Sequence, residues 1–315
     1  MSNNQPMILD LDEGIFATFP PFEGITPGGY TRDFMGVLTR GYFWVYPEEF
    51  TEAIGKTRKE RITYPDDHEL ILDWYPFLQS VIAAKGKFTI AAIGAGWGRW
   101  ICAGAFAAKY LSKDYFLIGV EAEPDHFRYM KQHMKDNNID RKKYRLILAA
   151  ATNYCGHCWF HVGNPTRWYG QSLVSEKALK EITPTSIILK ILDLLNIRSR
   201  IMYEGRAVQR MPCVDLKEVV RNQNYIDYMM LDIQEAEEMF LTRYPEILQK
   251  TVKMVNVGTH GNTIENNLRK YFSDLGWTNT FDIPMNSKVR FNIGEKRTDT
   301  IQFGDGVQVW VNPDL

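Results

Sequence analysis

The sequence predicts an α/β protein built on a mostly parallel, seven-stranded sheet with an antiparallel edge strand. Three observations predict it. Short apolar runs alternate with segments of helical periodicity from residue 88 onward, the mark of right-handed βαβ units whose strands are buried on both faces. A glycine-rich turn, Gly94-Ala95-Gly96-Trp97-Gly98, separates the first of these runs from the helix after it. The 315 residues, 45% hydrophobic and 24% charged, suffice for one large domain with extensions.

Residues 1–65 read as an N-terminal cap: Pro20, Pro21, Pro27, Gly28 and Gly29 interrupt them, and the aromatic run Tyr42-Phe43-Trp44-Val45-Tyr46 has no sustained period. Residues 66–315 form the main domain. It opens with an amphipathic helix over Asp66 to Ala84, where Leu70, Ile71, Trp74, Phe77, Leu78, Val81 and Ile82 recur at helical spacing and Asp66 or Asp67 can cap the start. Then follow a strand from Phe88 to Ile93, a helix from about Gly98 to Leu111, a strand from Tyr115 to Glu121, a helix from Asp125 to Asn137 and a strand from Tyr144 to Ala150. An insert over about 171–212 breaks the alternation with a helix from Thr185 to Asn196, striped by Ile187, Ile188, Ile191, Leu194 and Leu195. Inserts at loop ends commonly carry specificity. Alternation resumes with a helix near Asp215 to Asn222, a strand from Tyr228 to Leu231, a helix from Glu235 to Tyr244, a strand from Thr251 to Val257 and a helix from Thr263 to Leu275. Two late strands, Val289 to Ile293 and Val307 to Val311, are expected to close the sheet as its antiparallel edge.

A formal net charge of −1 with dispersed basic residues argues against nucleic acid or an anionic membrane as partner. No run approaches the roughly 20 apolar residues of a membrane span. The segment Met1 to Asp12 lacks the basic start and apolar stretch of a signal peptide, and four irregularly spaced cysteines give no disulfide framework, so the expectation is a soluble cytoplasmic protein. A small-molecule partner is expected, and a homo-oligomer is compatible with the composition.

The turn at Gly94 to Gly98 follows a strand and opens a helix, a context in which glycine lets the backbone approach a ligand closely. A dinucleotide site would place Gly or Ala next, to seat a pyrophosphate on the helix N-terminus, but that position holds Arg99. The second strand ends in Val120-Glu121-Ala122-Glu123-Pro124. A carboxylate there can accept both hydroxyls of a ribose; Glu123 is the first choice and Glu121 the alternative.

Over residues Phe88 to Trp277 the chain resembles the FkbM-like branch of the class I S-adenosylmethionine-dependent methyltransferases, whose fold is Rossmann-like. The resemblance rests on the glycine turn, on Val120 to Pro124 followed by Phe127, on Val214-Asp215-Leu216, and on Met230-Leu231-Asp232-Ile233-Gln234-Glu235-Ala236-Glu237. The last stretch is similar to the family's Leu-Lys-Ile-Asp-Val-x-Gly-Ala-Glu signature, with apolar Met229 and Met230 near the usual Lys and Glu235 at the usual Gly. The resemblance implies S-adenosylmethionine as cofactor, held by Gly94, Ala95, Gly96, Trp97, Glu123 and Asp232. It also implies that Ala150 or Ala151 lies near the adenine, in the small-residue stretch Ala149 to Asn153.

Asp232 follows an apolar strand and stands at the carboxyl edge of the sheet, where open α/β sheets bind ligands. His260 follows the next strand and reaches the same edge; methylating an alcohol requires removal of the hydroxyl proton, and a neutral imidazole suits that. Asp232 and His260 are the candidate catalytic residues, and Glu237, one turn further, can hold neighbouring loops. The expected reaction is O-methylation of a small molecule, with N-methylation, an NAD-dependent oxidoreductase and a non-catalytic binding protein as alternatives. Cys155-Gly156-His157-Cys158 follows a late strand rather than opening a helix, and with His161 it lacks a fourth zinc ligand, so packing is its expected role and no metal site is assigned. Trp168-Tyr169-Gly170-Gln171 and Tyr42 to Tyr46 can line an acceptor pocket, though core packing is the commoner use of such residues.

Overall fold

A computed structural model of the chain describes residues 6–44, 55–63, 71–163, 171–174, 200–203, 206–294 and 297–315. Its centre is a seven-stranded sheet of β1 (Lys87–Ile93), β2 (Asp114–Glu121), β3 (Tyr144–Leu148), β4 (Tyr228–Leu231), β5 (Met254–Thr259), β6 (Thr278–Ile283) and β7 (Gly306–Val311). The strands lie in the order β6-β7-β5-β4-β1-β2-β3. β1, β2, β3, β4 and β5 run parallel, and β7 runs antiparallel to both β5 and β6. This is the sheet of the Rossmann-like class I methyltransferase fold.

β1 shows why the apolar runs were continuous: every residue from Phe88 to Ile93 is buried. Phe88, Ile90 and Ala92 enter one core, shared with α1 (Ile71–Ala83), α2 (Arg99–Tyr110) and Met130 and Met134 of α3 (Pro124–Asp136). Ala91 and Ile93 enter the other, shared with α4 (Leu216–Val219), α5 (Glu237–Thr242), α6 (Pro245–Thr251) and α7 (Asn262–Asp274). Because side chains alternate along a strand, a sheet covered on both faces is filled mainly by apolar residues at its centre. The N-terminal segment joins the first core through Leu11, Phe16, Phe19, Phe34 and Val37.

Strand order reverses between β1 and β4, since β1 leads outward through β2 and β3 while β4 leads outward through β5. The connecting loops part at that point and leave a crevice beyond the carboxyl ends of the two strands.

Several expected elements are corrected. The antiparallel strand is not the edge: β7 lies one strand in, and the edge is β6, whose polar start Thr278-Asn279-Thr280 hides it from a search for apolar runs. Lys288–Ile293 leaves the central sheet, pairing in parallel with Met7–Leu11 and antiparallel with Arg297–Gln302. Residues 245–251 are helical, so β5 begins at Met254 rather than Thr251. The expected insert contributes strands, with Ala150–Ala151, Gly156–Val162, Arg200–Tyr203 and Arg206–Val214 forming a four-stranded sheet. The helix expected at Thr185 to Asn196, and Trp168, Tyr169 and Gly170, lie outside the described residues. Among the described residues no helix is long and apolar enough to cross a membrane.

Candidate functional site

The glycine turn after β1 takes its shape from three left-handed residues, Gly94 at φ 77°, Gly96 at 54° and Gly98 at 80°. The N–H groups of Gly94 and Ala95 both donate to the Val120 carbonyl at 2.9 Å, tying the turn to the end of β2. Across the crevice, a Cβ on Gly94 would stand 1.9 Å from the Asp232 carbonyl oxygen. Gly94→Ala is therefore expected to destabilise the fold by about 3 kcal/mol, combining the left-handed penalty with overpacking against backbone. Urea unfolding checks this; a loss below about 1 kcal/mol would mean that the two strand ends separate freely.

A cavity of about 400 Å³ opens beyond these strand ends, with Gly94, Gly96, Glu121, Asp232 and His260 in its wall. At the β2 side, Glu121 accepts hydrogen bonds at 2.7 Å from the N–H of Gly96 and at 2.7 Å from the N–H of Glu123. Burial pushes its carboxyl up to about 7 despite these bonds. The choice of Glu123 as the cavity acid is corrected: Glu123 is fully buried, caps α3 by accepting from the N–H groups of Asp125 (2.6 Å) and His126 (2.8 Å), and does not line the cavity. The reason is local, because Pro124 is preorganised for the first helical turn and so makes the residue before it the N-cap.

Ala150 and Ala151 line the cavity with small side chains. Ala95 and Trp97 do not line it. Ala95 packs on the core, while the Trp97 ring turns to Phe43, Trp44 and His133, with centroids 6.1, 5.2 and 5.1 Å away. Phe43 is fully buried and stacks on Tyr129, so this part of the early aromatic run is core.

At the opposite end, β4 and β5 bring together side chains distant in sequence. His260 Nδ1 lies 2.7 Å from Oε1 of the fully buried Glu237, and that oxygen also accepts the Ile233 N–H at 3.1 Å. His260 Nε2 faces the Gln234 amide at 2.9 Å and Asp232 Oδ1 at 3.4 Å, with Asp305 Oδ2 at 4.0 Å. Burial alone would lower the imidazole's pKa, but Glu237, Asp232 and Asp305 outweigh it and hold His260 at about 9. The neutral imidazole expected near pH 7 is thus replaced by an imidazolium paired to Glu237.

Gln234 and Asp305 were not read from the sequence. Gln234 sits at φ 52° and Glu235 at φ 73°, the latter where the resembled signature has glycine. That mismatch was the available signal: a turn demanding glycine-like backbone but built from Gln and Glu is strained, and strain of this kind collects at functional sites. Cys158, on the strand Gly156–Val162, lies against Cys213 of Arg206–Val214. Its partner in the Cys-x-x-Cys motif, Cys155, is exposed.

The chain is similar over 292 residues to a protein of Jannaschia sp. (strain CCS1) provisionally named a methyltransferase, at 25% identity, covering 91% of this chain and 94% of that protein. No protein-family model matches the chain. Among solved structures, it is similar to the C-terminal domain of precorrin-6Y C5,15-methyltransferase from Rhodobacter capsulatus at 8% identity, over 76% of this chain and 88% of that one, with a TM-score of 0.39. A protein of Pyrococcus horikoshii, provisionally named an RNA methyltransferase, is similar at 9% identity, over 76% and 82% of the two chains, with a TM-score of 0.36. The fold assignment rests on the chain's own strand order, and these likenesses specify no acceptor.

Proposed function

We propose that this chain is an S-adenosylmethionine-dependent methyltransferase that methylates an oxygen of a small molecule. The supporting observation is the division of one cavity: Glu121 and the glycine turn at one end, and Asp232, Gln234 and His260 at the other. The residues fit the cofactor. Gly94 and Gly96 let a ligand approach the backbone, Glu121 offers a buried carboxylate for a pair of ribose hydroxyls, and Ala150 and Ala151 leave room for a flat base. When bound, S-adenosylmethionine supplies a methyl group already joined to a good leaving group.

The protein's remaining tasks are alignment and proton removal. Asp232 and Asp305 present carboxylate oxygens toward the acceptor end. His260 Nε2 would take the acceptor's proton while Glu237 holds Nδ1–H, the arrangement in which a carboxylate orients an imidazole for base catalysis. A positive charge nearby lowers His260's pKa and favours the neutral base, so a loaded cavity is better poised than an empty one. Phe160, Gln171 and Leu173 also line the cavity, and Phe160 and Leu173 pack in one cluster with Ala150, so the strand Gly156–Val162 and the start of the 171–212 insert would flank the base of the cofactor. Asp232 and Asp305 give a second reading its footing, since two carboxylates beside the acceptor end also favour a cationic amine and hence N-methylation.

A thermal-shift assay is expected to show S-adenosylhomocysteine raising Tm while NAD has no effect; the reverse would end this reading. His260→Ala is expected to leave that shift intact and to slow turnover on a screened acceptor by about 100-fold. Unchanged turnover would place the base elsewhere.

A further inference from the structure

Gln234 stands in the wall of two cavities. One is the cavity assigned to methyl transfer; the other, of about 700 Å³, also has Tyr154, Trp159, Glu235 and Met239 in its wall. Leu173 is common to both as well, so the two spaces meet along Gln234 and Leu173.

The Gln234 amide covers the first cavity's acceptor end. Its Nε2 donates to Asp232 Oδ1 at 3.1 Å and lies 2.9 Å from His260 Nε2. Once neutral, the imidazole offers a single lone pair at Nε2, enough for one donor. A hydroxyl that passes its proton to this nitrogen must come within hydrogen-bond reach of it, where the amide already stands. Amide and hydroxyl therefore exclude each other, and the amide has to move for the reaction to proceed. The turn that carries it is strained, with Gln234 at φ 52° and Glu235 at φ 73°, and backbone of that kind is retained where function requires it.

The larger cavity has room for the rest of the acceptor, its volume being that of a small-molecule site. Tyr154 and Met239 in its wall are exposed and Trp159 is half-buried. Large apolar side chains left open around one cavity mark a ligand surface, and aromatic rings with a polarisable thioether suit a flat aromatic body.

We infer that the methyl acceptor is a phenol whose ring lies among Tyr154, Trp159 and Met239 and whose hydroxyl takes the place of the Gln234 amide beside His260 Nε2 and Asp232 Oδ1. Gln234 is then a positioning residue that covers the base until an acceptor displaces it. This inference rests on the methyl-transfer reading of the first cavity and names the acceptor class of that site.

The test titrates the full chain, saturated with S-adenosylhomocysteine, with 2-naphthol and with methyl glucoside by calorimetry. Naphthol is expected to bind with Kd at or below about 1 mM and the glucoside about tenfold more weakly or worse. Tyr154→Ala and Met239→Ala, at exposed side chains, are each expected to weaken naphthol about fivefold without changing Kd for S-adenosylhomocysteine. Gln234→Gly keeps the left-handed backbone and is expected to tighten naphthol about threefold, because no amide has to be expelled. In the wild type, naphthol is expected to shift the NMR signals of the His260 imidazole, identified by their loss in His260→Ala. Equal binding of the glucoside, or full naphthol affinity in both Tyr154→Ala and Met239→Ala, would overturn the acceptor class. Unmoved His260 signals, or weaker naphthol binding in Gln234→Gly, would overturn the displacement. No binding of S-adenosylhomocysteine would overturn the methyl-transfer reading and this inference with it, whereas S-adenosylhomocysteine binding without naphthol binding would overturn this inference alone.

Discussion

Glu121→Gln is expected to weaken S-adenosylhomocysteine binding at least 100-fold at pH 7.5, the largest effect of any single change on the cofactor side of the cavity. Hydrogen bonds to a charged group contribute about 1.5–3 kcal/mol each, and a hundredfold change corresponds to about 2.7 kcal/mol. The substitution removes the charge and sets an amide N–H₂ against N–H donors of Gly96 or Glu123, so some stability is lost as well. The pH dependence separates the two losses. Glu121 titrates near 7, well above the ordinary carboxylate range, so the empty protein is partly protonated there below neutrality. Ligand hydroxyls stabilise the carboxylate and lower its pKa, so binding should release a proton, and affinity should rise from pH 6 to 8. Calorimetry at pH 6.5 in buffers of different ionisation enthalpy would show the release in wild type and none in Glu121→Gln. An unchanged proton count in the variant would remove Glu121 from the ligand contact.

For Glu121 alone, a pKa raised on folding means that its stabilising contribution is complete below the unfolded value near 4.5 and is lost as pH rises through 7. His260 has the same sign, its contribution complete below 6.5 and lost as pH rises through about 9.

Glu237→Gln is expected to lower turnover by a factor on the order of 100 or more while changing Kd for S-adenosylhomocysteine less than threefold. The glutamine amide would donate to His260 Nδ1, driving the ring proton onto Nε2, and the nitrogen facing Asp232 and Gln234 would cease to be an acceptor. Loss of the carboxylate also removes the strongest influence raising His260, so burial is opposed only by Asp232 and Asp305 and its pKa should fall from about 9. Activity in the wild type should climb with pH toward the His260 value, because the base form is required, whereas the residual activity of the variant should be flat above pH 7. Glu237 acts here through His260 as a positioning residue, and a merely structural role would leave the shape of the pH profile unchanged. A wild-type profile flat from pH 6 to 9 would exclude His260 as the base. Measurement of kcat against pH, with Tm followed in parallel, distinguishes these outcomes.

Sequence alone determined the parts of this protein whose physics is local. The central strands were legible because burial on both faces demands nearly continuous apolar runs, as from Phe88 to Ile93 with only Thr89 polar. The glycine turn was legible because a strand-to-helix turn with left-handed backbone at Gly94, Gly96 and Gly98 favours glycine at each. Asp232 and His260 were legible as edge residues because each stands just after a strand, Tyr228–Leu231 and Met254–Thr259.

Tertiary structure alone decided what depends on partners remote in the chain. Lys288–Ile293 pairs with Met7–Leu11 near the other terminus, and the outward turn of Trp97 reflects contacts with Phe43, Trp44 and His133. Of two acids a residue apart, Glu121 faces the cavity and Glu123 the helix, a difference set by where α3 starts. His260 was placed by its position, but its charge was set by Glu237, a fully buried carboxylate 23 residues earlier that the fold brings to 2.7 Å. A pKa is a property of surroundings, and those surroundings exist only once the chain has closed around them.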